Sequence, residues 1–525
     1  MGIYFNPGND GFRATAGSRI YVDKTGLLEF TNHVLCSEEN CISLSHARRF
    51  GKSQAARMLE AYYSCGCDSR ALFTPLTISG EEDFLTHLNA YNVIHVDVSS
   101  FADRYKEKLV EHIWPVLYEE MQNVLPGLKD IAYPIGAVLQ DACNRTGKKF
   151  VIILDEWDCV IRNFADDQKL VHQYLQFLHA LFKSEEAKSF LALAYITGIL
   201  PLKKVKDESA LNNFFEYTMK DSGELTAYFG FTEAEVRILC ERYQMEFDSV
   251  REWYDGYRIS GLHMYNPNSV YQAMIRGRID SYWKNTSAFE TINQFITMNF
   301  DGLKESILKI LQGQKVSVNT DTFQNDLSII RSKDEALTAL IHLGYLGYDA
   351  ECKKAYMPNY EVSMAFRAAL TSGSWQEIAR TISRCEELLW ATIDGEEDTV
   401  ANLVELAHET YCSVLKYNDE NSLSCALTMA YFTAPAYYNV VRELPTGKGF
   451  ADIVFIPRAD SGQLPAMVIE LKWKKDADSA IQQIREKRYA GNLKGYGREI
   501  LLVGISYDKN ESKKHSCRIE RIRIE

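Results

Sequence analysis

Two stretches of the sequence carry residue types that can handle phosphate groups and a metal ion. Residues 45–53 read Ser-His-Ala-Arg-Arg-Phe-Gly-Lys-Ser, and residues 151–156 form an apolar run that ends in Asp155 and Glu156. A lysine and a hydroxyl at the start of a helix can hold phosphate oxygens and Mg²⁺, and carboxylates after a buried strand can hold the ion and direct a water. Together the two stretches predict a nucleotide site.

The residue types assign roles within that site. Lys52 would bridge the β- and γ-phosphates of ATP, with Gly51 allowing the tight approach, and Ser53 would ligate Mg²⁺. Asp155 would hold the ion directly or through water, and Glu156 would orient or deprotonate the attacking water. A further residue, Thr197, follows an apolar strand and would sense the γ-phosphate. ATP and Mg²⁺ are the expected ligands.

The loop departs from the full phosphate-loop pattern, which has a glycine five residues before Gly51. That position is His46, so a side chain must be accommodated where bare backbone normally wraps phosphate. We expect Arg48 and Arg49 to compensate with guanidinium contacts to phosphate. The alternative is that both arginines are solvated.

Apolar strands alternate with amphipathic helices around these residues. The strand-like runs are 19–25, 41–45, 91–98, 151–156 and 190–198, and helical spacing is present at 55–63, 109–121 and 171–182. This alternation predicts a parallel sheet with helices on both faces. Ligands bind at the carboxyl ends of such strands, where Lys52, Asp155 and Thr197 all fall.

Length and composition limit the class of protein. A chain of 525 residues exceeds one ordinary core, and we divide it into 1–230, 231–375 and 376–525. With 46% hydrophobic and 25% charged residues it is an ordinary globular chain, without a signal-peptide pattern or a membrane-length apolar run. We therefore expect a cytoplasmic protein with no membrane partner. The twelve cysteines form no zinc-site arrays, which predicts reduced thiols.

The charge of the chain is unevenly distributed. The net charge of −13 argues against a protein that coats nucleic acid non-specifically. Residues 441–525, however, carry 17 lysines and arginines against 12 aspartates and glutamates, so this segment carries +5 and the rest −18. The C-terminal segment therefore leaves room for a local contact with nucleic acid.

A second set of residues in that segment could cleave phosphodiesters. Strand-like runs at 438–444, 451–456, 466–473 and 499–504 place Asp452 on one strand and Glu470 and Lys472 on the next, where alternate residues share a face. Two carboxylates and an ammonium at one edge suit metal-dependent hydrolysis, with Asp452 and Glu470 as metal ligands. The alternative is that Asp452 caps a turn and Glu470 and Lys472 form a solvated pair.

Motifs along the whole chain resemble those of the bacterial predicted AAA-ATPase-like family. The matching stretches are 21–25, 48–53, 152–158, 196–201, 253–258 and 265–267. In that family the phosphate loop reads Arg-Pro-Arg-Arg-Phe-Gly-Lys-Ser, so the missing glycine is a family feature, and His46-Ala47 replaces the usual Arg-Pro. The resemblance implies an N-terminal P-loop NTPase domain with a parallel sheet, followed by a helical lid with a small winged segment at 231–375.

The C-terminal segment is similar to the PD-(D/E)xK nuclease superfamily, in the form fused to this ATPase-like domain. The resemblance implies an α/β restriction-endonuclease-like domain in the order α-β-β-β-α-β. By position, Glu420 matches the acid of the first helix, which is a metal ligand. Asp452, Glu470 and Lys472 match the catalytic set. Gln483 matches the polar residue of the next helix.

Together these expectations describe an ATP-binding and ATP-hydrolysing module coupled to a Mg²⁺-dependent nuclease-like domain that acts on DNA or RNA. A different class of function stays open: a nucleotide-dependent switch or scaffold whose C-terminal domain binds a partner without cleaving it. Assembly into a homo-oligomer is compatible with either. Trp253, Tyr254 and Tyr257 could stack on bases, but aromatic residues near a glycine turn also form cores.

Overall fold

The computed structural model divides the chain into two units. Met1–Asn285, Asn299–Ile310 and Lys315–Ser363 form the first, and Thr286–Met298, Leu311–Gln314 and Met364–Glu525 form the second. The predicted three-part division stays a prediction. The structure describes residues 2–202, 211–283, 292, 294–295, 298, 300, 302–311, 313–323, 330–372, 376–412, 427, 430–431, 433–446, 449–458, 464–486, 499–508, 510–511 and 513–523.

The first unit contains a five-stranded parallel sheet. Its strands are β1 (Cys41–Ser45), β2 (Asn92–Asp97), β3 (Phe150–Asp155), β4 (Leu191–Gly198) and β5 (Phe215–Thr218), in the order β2-β3-β4-β1-β5. Strands β1, β3 and β4 are buried along their whole length, as expected for a parallel sheet covered on both sides. The predicted parallel sheet is confirmed, and the edge strand β5 is an addition.

Helices connect and cover these strands. They are α1 (Asp10–Ala16), α2 (Gly26–Val34), α3 (Lys52–Tyr63), α4 (Arg70–Phe73), α5 (Phe84–His87), α6 (Val98–Tyr105), α7 (Leu109–Val124), α8 (Ile135–Thr146), α9 (Cys159–Asn163), α10 (Gln168–Phe182) and α11 (Ala187–Phe190), with 3-10 turns at Thr77–Gly80, Lys106–Lys108 and Gly223–Tyr228. Because side chains alternate along β3, Val151 and Ile153 pack on the side of α3, and Ile152 and Leu154 pack on the side of α7 and α10.

The predicted strand at 19–25 is wrong. Residues 21–24 have no regular structure, because side chains rather than a strand ladder hold them in place. Asp23 Oδ1 accepts the Thr25 N–H at 2.9 Å and its Oδ2 accepts the Thr77 N–H at 2.8 Å. Lys24 Nζ donates to Glu235 at 2.6 Å. A short polar side chain that bonds nearby backbone competes with sheet formation.

The region predicted to be a helical lid contains more strands than expected. Its helices are α12 (Glu233–Tyr243), α13 (Phe247–Tyr254), α14 (Pro267–Arg276), α15 (Leu303–Leu311), α16 (Lys333–His342) and α17 (Tyr360–Ser372). Between them lie two antiparallel sheets, β6-β8-β7 (Phe231–Thr232, Leu262–Tyr265, Tyr257–Ile259) and β10-β11-β9 (Gly347–Asp349, Lys354–Tyr356, Val316–Ser317). Strands this short carry too little alternation to be recognised in a sequence.

The second unit is built on a mixed five-stranded sheet. Its order follows the chain, β12 (Tyr438–Thr446), β13 (Gly449–Pro457), β14 (Ala466–Trp473), β15 (Glu499–Tyr507) and β16 (His515–Arg523). The β14–β15 pair is parallel and helix α20 (Ala477–Glu486) lies between them in sequence, whereas the other pairs are antiparallel. Helices α18 (Gln376–Asp394) and α19 (Glu397–Cys412) precede the sheet, with a 3-10 turn at Ala434–Ala436.

This architecture confirms the predicted α/β fold of the C-terminal segment. Strand β16 was not expected, and Glu420, which the resemblance places on the first helix, lies outside the described residues. Within the described part of the chain, no helix combines the length and the apolar character needed to cross a bilayer.

Substitution of Gly198, at the end of β4, tests how tightly the ends of β3 and β4 pack together. A Cβ atom there would lie 2.7 Å from Asp158 Oδ1 and 2.8 Å from Trp157 Nε1, and both side chains are fully buried. We expect Gly198→Ala to lower the free energy of unfolding by about 1–3 kcal/mol, because neither neighbour can move away. Chemical denaturation measures the change. Gly80→Ala is the control, since nothing lies within 4 Å of its Cβ position; an equal effect of the two substitutions would contradict the packing argument.

Candidate functional site

The loop between β1 and α3 turns sharply just before the helix. Gly51 has φ +93°, in the left-handed region, and no atom lies within 4 Å of the position its Cβ would take. Glycine is therefore required by backbone conformation and not by space. Helix α3 begins directly afterwards at Lys52, so its first N–H groups and the positive end of its dipole face the loop.

Lys52 lies inside this loop. Its side chain is 5% exposed, and Nζ donates to the carbonyl oxygens of His46 at 2.9 Å and Ala47 at 3.1 Å. Burial lowers the pKa of Lys52, and the neighbouring carboxylates of Glu156 and Asp155 act against that effect. The ammonium is thus placed between backbone carbonyls on one side and the acidic strand end on the other.

The side chain of His46 is accommodated by burial away from the pocket. The ring is fully buried, with Nε2 2.6 Å from Ser222 Oγ. The Ser222 hydroxyl donates to Thr218 O at 2.7 Å, so the imidazole must be the donor in its bond to Ser222. His46 and Ala47 are absent from the pocket wall, whereas Arg48 and the residues after it line it. His46 therefore anchors the loop to β5.

Aromatic packing supports the same loop from the other side. The Phe50 ring meets Tyr257 edge-on at 5.2 Å, and the Phe50 carbonyl accepts the Gly230 N–H at 3.0 Å. Tyr257 is buried and its hydroxyl donates to Gly344 O at 2.6 Å. Trp253 and Tyr254 are also buried. This part of the aromatic motif therefore belongs to the core and does not form a stacking platform.

Asp155 closes the other side of the pocket from the end of β3. It is 5% exposed, and its Oδ1 accepts the hydroxyl of Thr197 and the Glu156 N–H. Among the described residues, Oδ2 accepts no hydrogen bond. Asp97, the residue paired with Asp155 on neighbouring β2, also lines the pocket. The sequence signal for Asp97 was the same one that identified Asp155, a carboxylate after a buried strand.

Glu156 is held by an arginine. Its Oε2 accepts a hydrogen bond from Arg162 at 2.6 Å, and Arg162 Nε donates to Asp158 Oδ2 at 2.9 Å. Burial raises the pKa of Glu156, and Lys52 acts against that effect. The backbone of Glu156 has φ +52°, an uncommon conformation for a residue with a side chain. Sequence reasoning missed Arg162, because its position one helical turn after Asp158 carries no recognisable signal.

Asp158 joins the ends of two strands. It is fully buried, and the oxygen that accepts from Arg162 also accepts the N–H groups of Ile199 at 3.1 Å and Leu200 at 2.9 Å. The backbone after β4 is thereby fixed to the turn after β3. The same turn is also joined to Thr197, whose carbonyl accepts the Trp157 N–H at 3.0 Å.

Together these residues line a pocket of about 870 Å³. Its polar wall includes Arg48, Arg49, Lys52, Ser53, Asp97, Asp155, Glu156 and Arg162, and its less polar wall includes Ile20, Tyr21, Tyr228, Phe231 and Tyr271. Of the predicted nucleotide residues, Thr197 alone does not line the pocket; it reaches the site through Asp155. The less polar wall comes from segments far apart in sequence, which explains why sequence reasoning missed it.

The second predicted site comes together in the mixed sheet. Glu470 on β14 is 2% exposed, and its Oε1 lies 3.3 Å from Lys472 Nζ and accepts a hydrogen bond from Gln483 of α20. Asp452 on β13 accepts the Leu471 N–H through Oδ2 at 2.8 Å. Glu420 lies outside the described residues. Four of the five predicted positions are therefore neighbours.

The parallel β14–β15 pair explains the position of Gln483. A parallel connection needs a crossover, and α20 supplies it by packing Ile481 and Ile484 against Val468 and Leu502. Gln483 lies between those two apolar residues in sequence and reaches Glu470 from above the strand. The burial of Glu470 excludes the solvated-pair interpretation.

Two family models match the chain in these same regions. Residues 12–206 match the model described as predicted AAA-ATPase, and residues 419–516 match that of the PD-(D/E)XK nuclease superfamily. The chain joins a predicted AAA-ATPase domain to a PD-(D/E)XK nuclease superfamily domain. The polar wall of the pocket lies within residues 12–206, and Glu470 and Lys472 lie within residues 419–516.

Relatives and solved structures resemble the chain more distantly. The "uncharacterized protein in vnfD 5′ region" of Azotobacter chroococcum mcd 1 is 23% identical over 93% of both chains. The structure titled replication initiator DnaA bound to AMPPCP and single-stranded DNA is 12% identical, with a TM-score of 0.27 over 63% of this chain and 81% of that one. The ORC2 protein of Aeropyrum pernix, titled as ADPNP-ADP complexes, is 10% identical, with a TM-score of 0.30 over 70% and 99%.

The two arginines of the AAA-ATPase-like loop have different surroundings. Arg48 is exposed at the pocket wall. Arg49 has φ +71°, and its guanidinium donates to Tyr282 O at 3.1 Å. Arg48 is therefore the arginine better placed to meet a ligand, and Arg49 also ties the loop to the segment after α14.

The burial of His46 gives a stability test. Burial lowers its pKa to about 3, so folding keeps the ring neutral while the unfolded chain takes up a proton below the usual value of about 6.5. The free energy of unfolding should thus fall as the pH drops from about 6.5, by about 1.4 kcal/mol per pH unit for this residue. We expect urea unfolding between about pH 6.5 and 4.5 to show that the free energy of unfolding of His46→Gln depends less steeply on pH than that of the wild type. The difference in slope should be about 1.4 kcal/mol per pH unit.

The exposed His33 is the matched control for this measurement. His33→Gln should leave the pH dependence of the wild type unchanged. A His46→Gln protein with the wild-type pH dependence would show that the ring is not kept neutral by the fold.

Proposed function

We propose that the AAA-ATPase-like region binds and hydrolyses ATP with Mg²⁺, and that the nuclease-superfamily region cleaves DNA or RNA with Mg²⁺. The observation that carries the first part is the convergence of Lys52, Ser53, Asp155 and Glu156 on one pocket at the carboxyl ends of parallel strands. Ligands of α/β sheets bind at such ends.

The pocket suits a nucleoside triphosphate in size and in polarity. Its volume of about 870 Å³ lies within the usual range for small-molecule sites. The start of α3 and Lys52 would take the phosphates, and aromatic residues such as Tyr21 and Tyr228 would take the base. The hydroxyl of Ser53 and the second oxygen of Asp155 would hold Mg²⁺, whose role is to neutralise charge that develops on the phosphates.

Glu156 is the residue proposed to orient or deprotonate the attacking water. Arg162 holds Oε2 of this carboxylate, which fixes its orientation and lowers the basicity of that oxygen, while Oε1 keeps the capacity to accept a proton. The second candidate function is a switch that binds nucleotide without turnover. Hydrolysis and switching are therefore separable by measuring binding and turnover on the same variants.

Two variants test the nucleotide site. Lys52→Ala should weaken ATP binding by about 10- to 100-fold, because a charged hydrogen-bond donor to phosphate is lost. Glu156→Gln should bind ATP as the wild type does but turn it over at least about 100-fold more slowly, because the proton acceptor is lost. Fluorescent-nucleotide titration and phosphate release measure the two effects.

Lys188→Ala is the control, since that lysine is 80% exposed and its ion pair with Glu185 is on the surface. It should match the wild type in both assays. ATP binding with no turnover in the wild type would select the switch. Equal binding by Lys52→Ala and the wild type would contradict the site itself.

The nuclease part of the proposal is supported by the donor set around β14. Asp452 and Glu470 offer the carboxylate oxygens that Mg²⁺ prefers, and Gln483 and Lys472 orient Glu470. When bound there, Mg²⁺ would activate a water and stabilise the departing oxygen. Lys472, 13% exposed beside Glu470, would support the charge that develops on the scissile phosphate.

Substitutions in this set test cleavage. Wild-type protein with Mg²⁺ or Mn²⁺ should cut at least one member of a panel of single- and double-stranded DNA and RNA. Lys472→Ala and Asp452→Asn should lower the rate by at least about 100-fold, because charge stabilisation and a metal ligand are lost. Gel analysis with and without ATP measures both the cleavage and its dependence on nucleotide.

The exposed Lys475, three residues further along the chain, provides the matched control. Lys475→Ala should cleave like the wild type. Cleavage that survives Lys472→Ala, or a wild type that cuts nothing in the panel, would contradict nuclease function and leave partner binding by this domain as the better account.

A further inference from the structure

A second group of metal-binding residue types lies around the small sheet β6-β8-β7 and includes no residue of either proposed site. Glu233 opens α12, Asp255 follows α13 and His263 is on β8. One ligating atom from each of the three lies within 4.8 Å of the others. Three elements therefore bring one imidazole and two carboxylates to a single point, and none of the three residues lines the nucleotide pocket.

A cation would bind here by replacing the proton that Asp255 and His263 share, because metal ligands must be deprotonated. Asp255 Oδ1 accepts the Gly256 N–H at 2.6 Å, and Oδ2 lies 2.8 Å from His263 Nδ1. Arg237 donates twice to Glu233 Oε1, at 2.6 and 2.9 Å, whereas Oε2 of that residue accepts nothing from the described residues. The side chains of Glu233, Asp255 and His263 are 34%, 13% and 37% exposed, so an ion could reach them from solvent.

A buried hydroxyl beside these residues lacks a partner. Tyr265 is fully buried, and its hydroxyl forms no hydrogen bond with the residues that the structure describes. It is two residues from His263 on β8, so both side chains lie on the same face of the strand. The unpartnered hydroxyl is therefore on the side of the sheet that carries His263.

The unpartnered hydroxyl of Tyr265 also indicates a bound ligand. A buried hydroxyl without a partner costs about 1–3 kcal/mol, and a fold that retains one usually satisfies it with a group outside the protein chain. Here the missing group must also suit two carboxylates and an imidazole. A hydrated cation meets both requirements, because its water can bond the hydroxyl while the ion takes the three ligands.

We propose that Glu233, Asp255 and His263 bind a divalent transition-metal ion, with Zn²⁺ as the best match to one nitrogen and two oxygens. Arg237 orients Glu233, and the backbone of Gly256 orients Asp255. The ion links the start of α12, the end of α13 and β8. Since Tyr257 of the adjacent β7 supports the phosphate loop, the site stabilises the sheet against which the loop packs.

Zinc binding by the full-length chain tests this proposal. Protein stripped with a chelator is titrated with Zn²⁺ by calorimetry, and retained zinc is counted by mass spectrometry after gel filtration. The wild type should retain one more equivalent than His263→Gln and Asp255→Asn, with an affinity at least about 100-fold higher at that site. Zn²⁺ should also raise the melting temperature of the wild type and not that of His263→Gln.

Matched variants separate this site from the other metal-binding residues. His33→Gln removes an exposed histidine of the same unit, and Asp452→Asn changes the nuclease-like site; both should retain the zinc equivalent. His263→Gln keeps a donor toward Asp255, and its stripped form should melt like the stripped wild type, which excludes misfolding as the cause of lost binding. Equal zinc content in the wild type and His263→Gln, or loss of the equivalent in Asp452→Asn alone, would overturn the proposal.

Discussion

The arrangement of the pocket at the ends of β3 and β4 depends on the buried carboxylate of Asp158. Its Oδ2 accepts two backbone N–H groups after β4 and the guanidinium of Arg162, so the turns after two neighbouring strands are fixed to one another. A buried charge is tolerated only when it is paired and hydrogen-bonded, and all three contacts are needed for that. Gly198 allows the carboxylate to approach. This connection reinforces the strand pairing that places Thr197 against Asp155.

Much of the fold and of both sites could be predicted from the sequence because the decisive signals are local. The loop before Lys52 and the acidic end of β3 are contiguous stretches, and alternation along β14 places Glu470 and Lys472 on one face. The role of His46 could not be predicted, since Ser222 is 176 residues away and its meeting with the histidine is a tertiary event. Strand β16 was missed because its charged residues follow the edge of a sheet, where apolar alternation is weak.

The family motifs also divide into two kinds once their contacts are known. Lys52, Ser53, Asp155 and Glu156 reach the pocket, whereas Lys24 pairs with Glu235 in the capping box of α12, and Tyr257 fills the core under the phosphate loop. A motif in a sequence does not say which of its members contact a ligand and which hold the others in place. The contacts in the structure show which members do which, and they show that the aromatic motif supports the loop before α3.

The hydrogen bonds of Lys52 to its own loop would also affect which ligands the pocket prefers. In the proposed site, an incoming phosphate would compete with the carbonyl oxygens of His46 and Ala47 for the same ammonium, so the gain on binding would be a difference between two interactions and not the whole of one. A compact chain of several negative charges would displace neutral carbonyls more readily than a single phosphate would. The loop would therefore discriminate by charge density and disfavour mononucleotides without any side chain that excludes them.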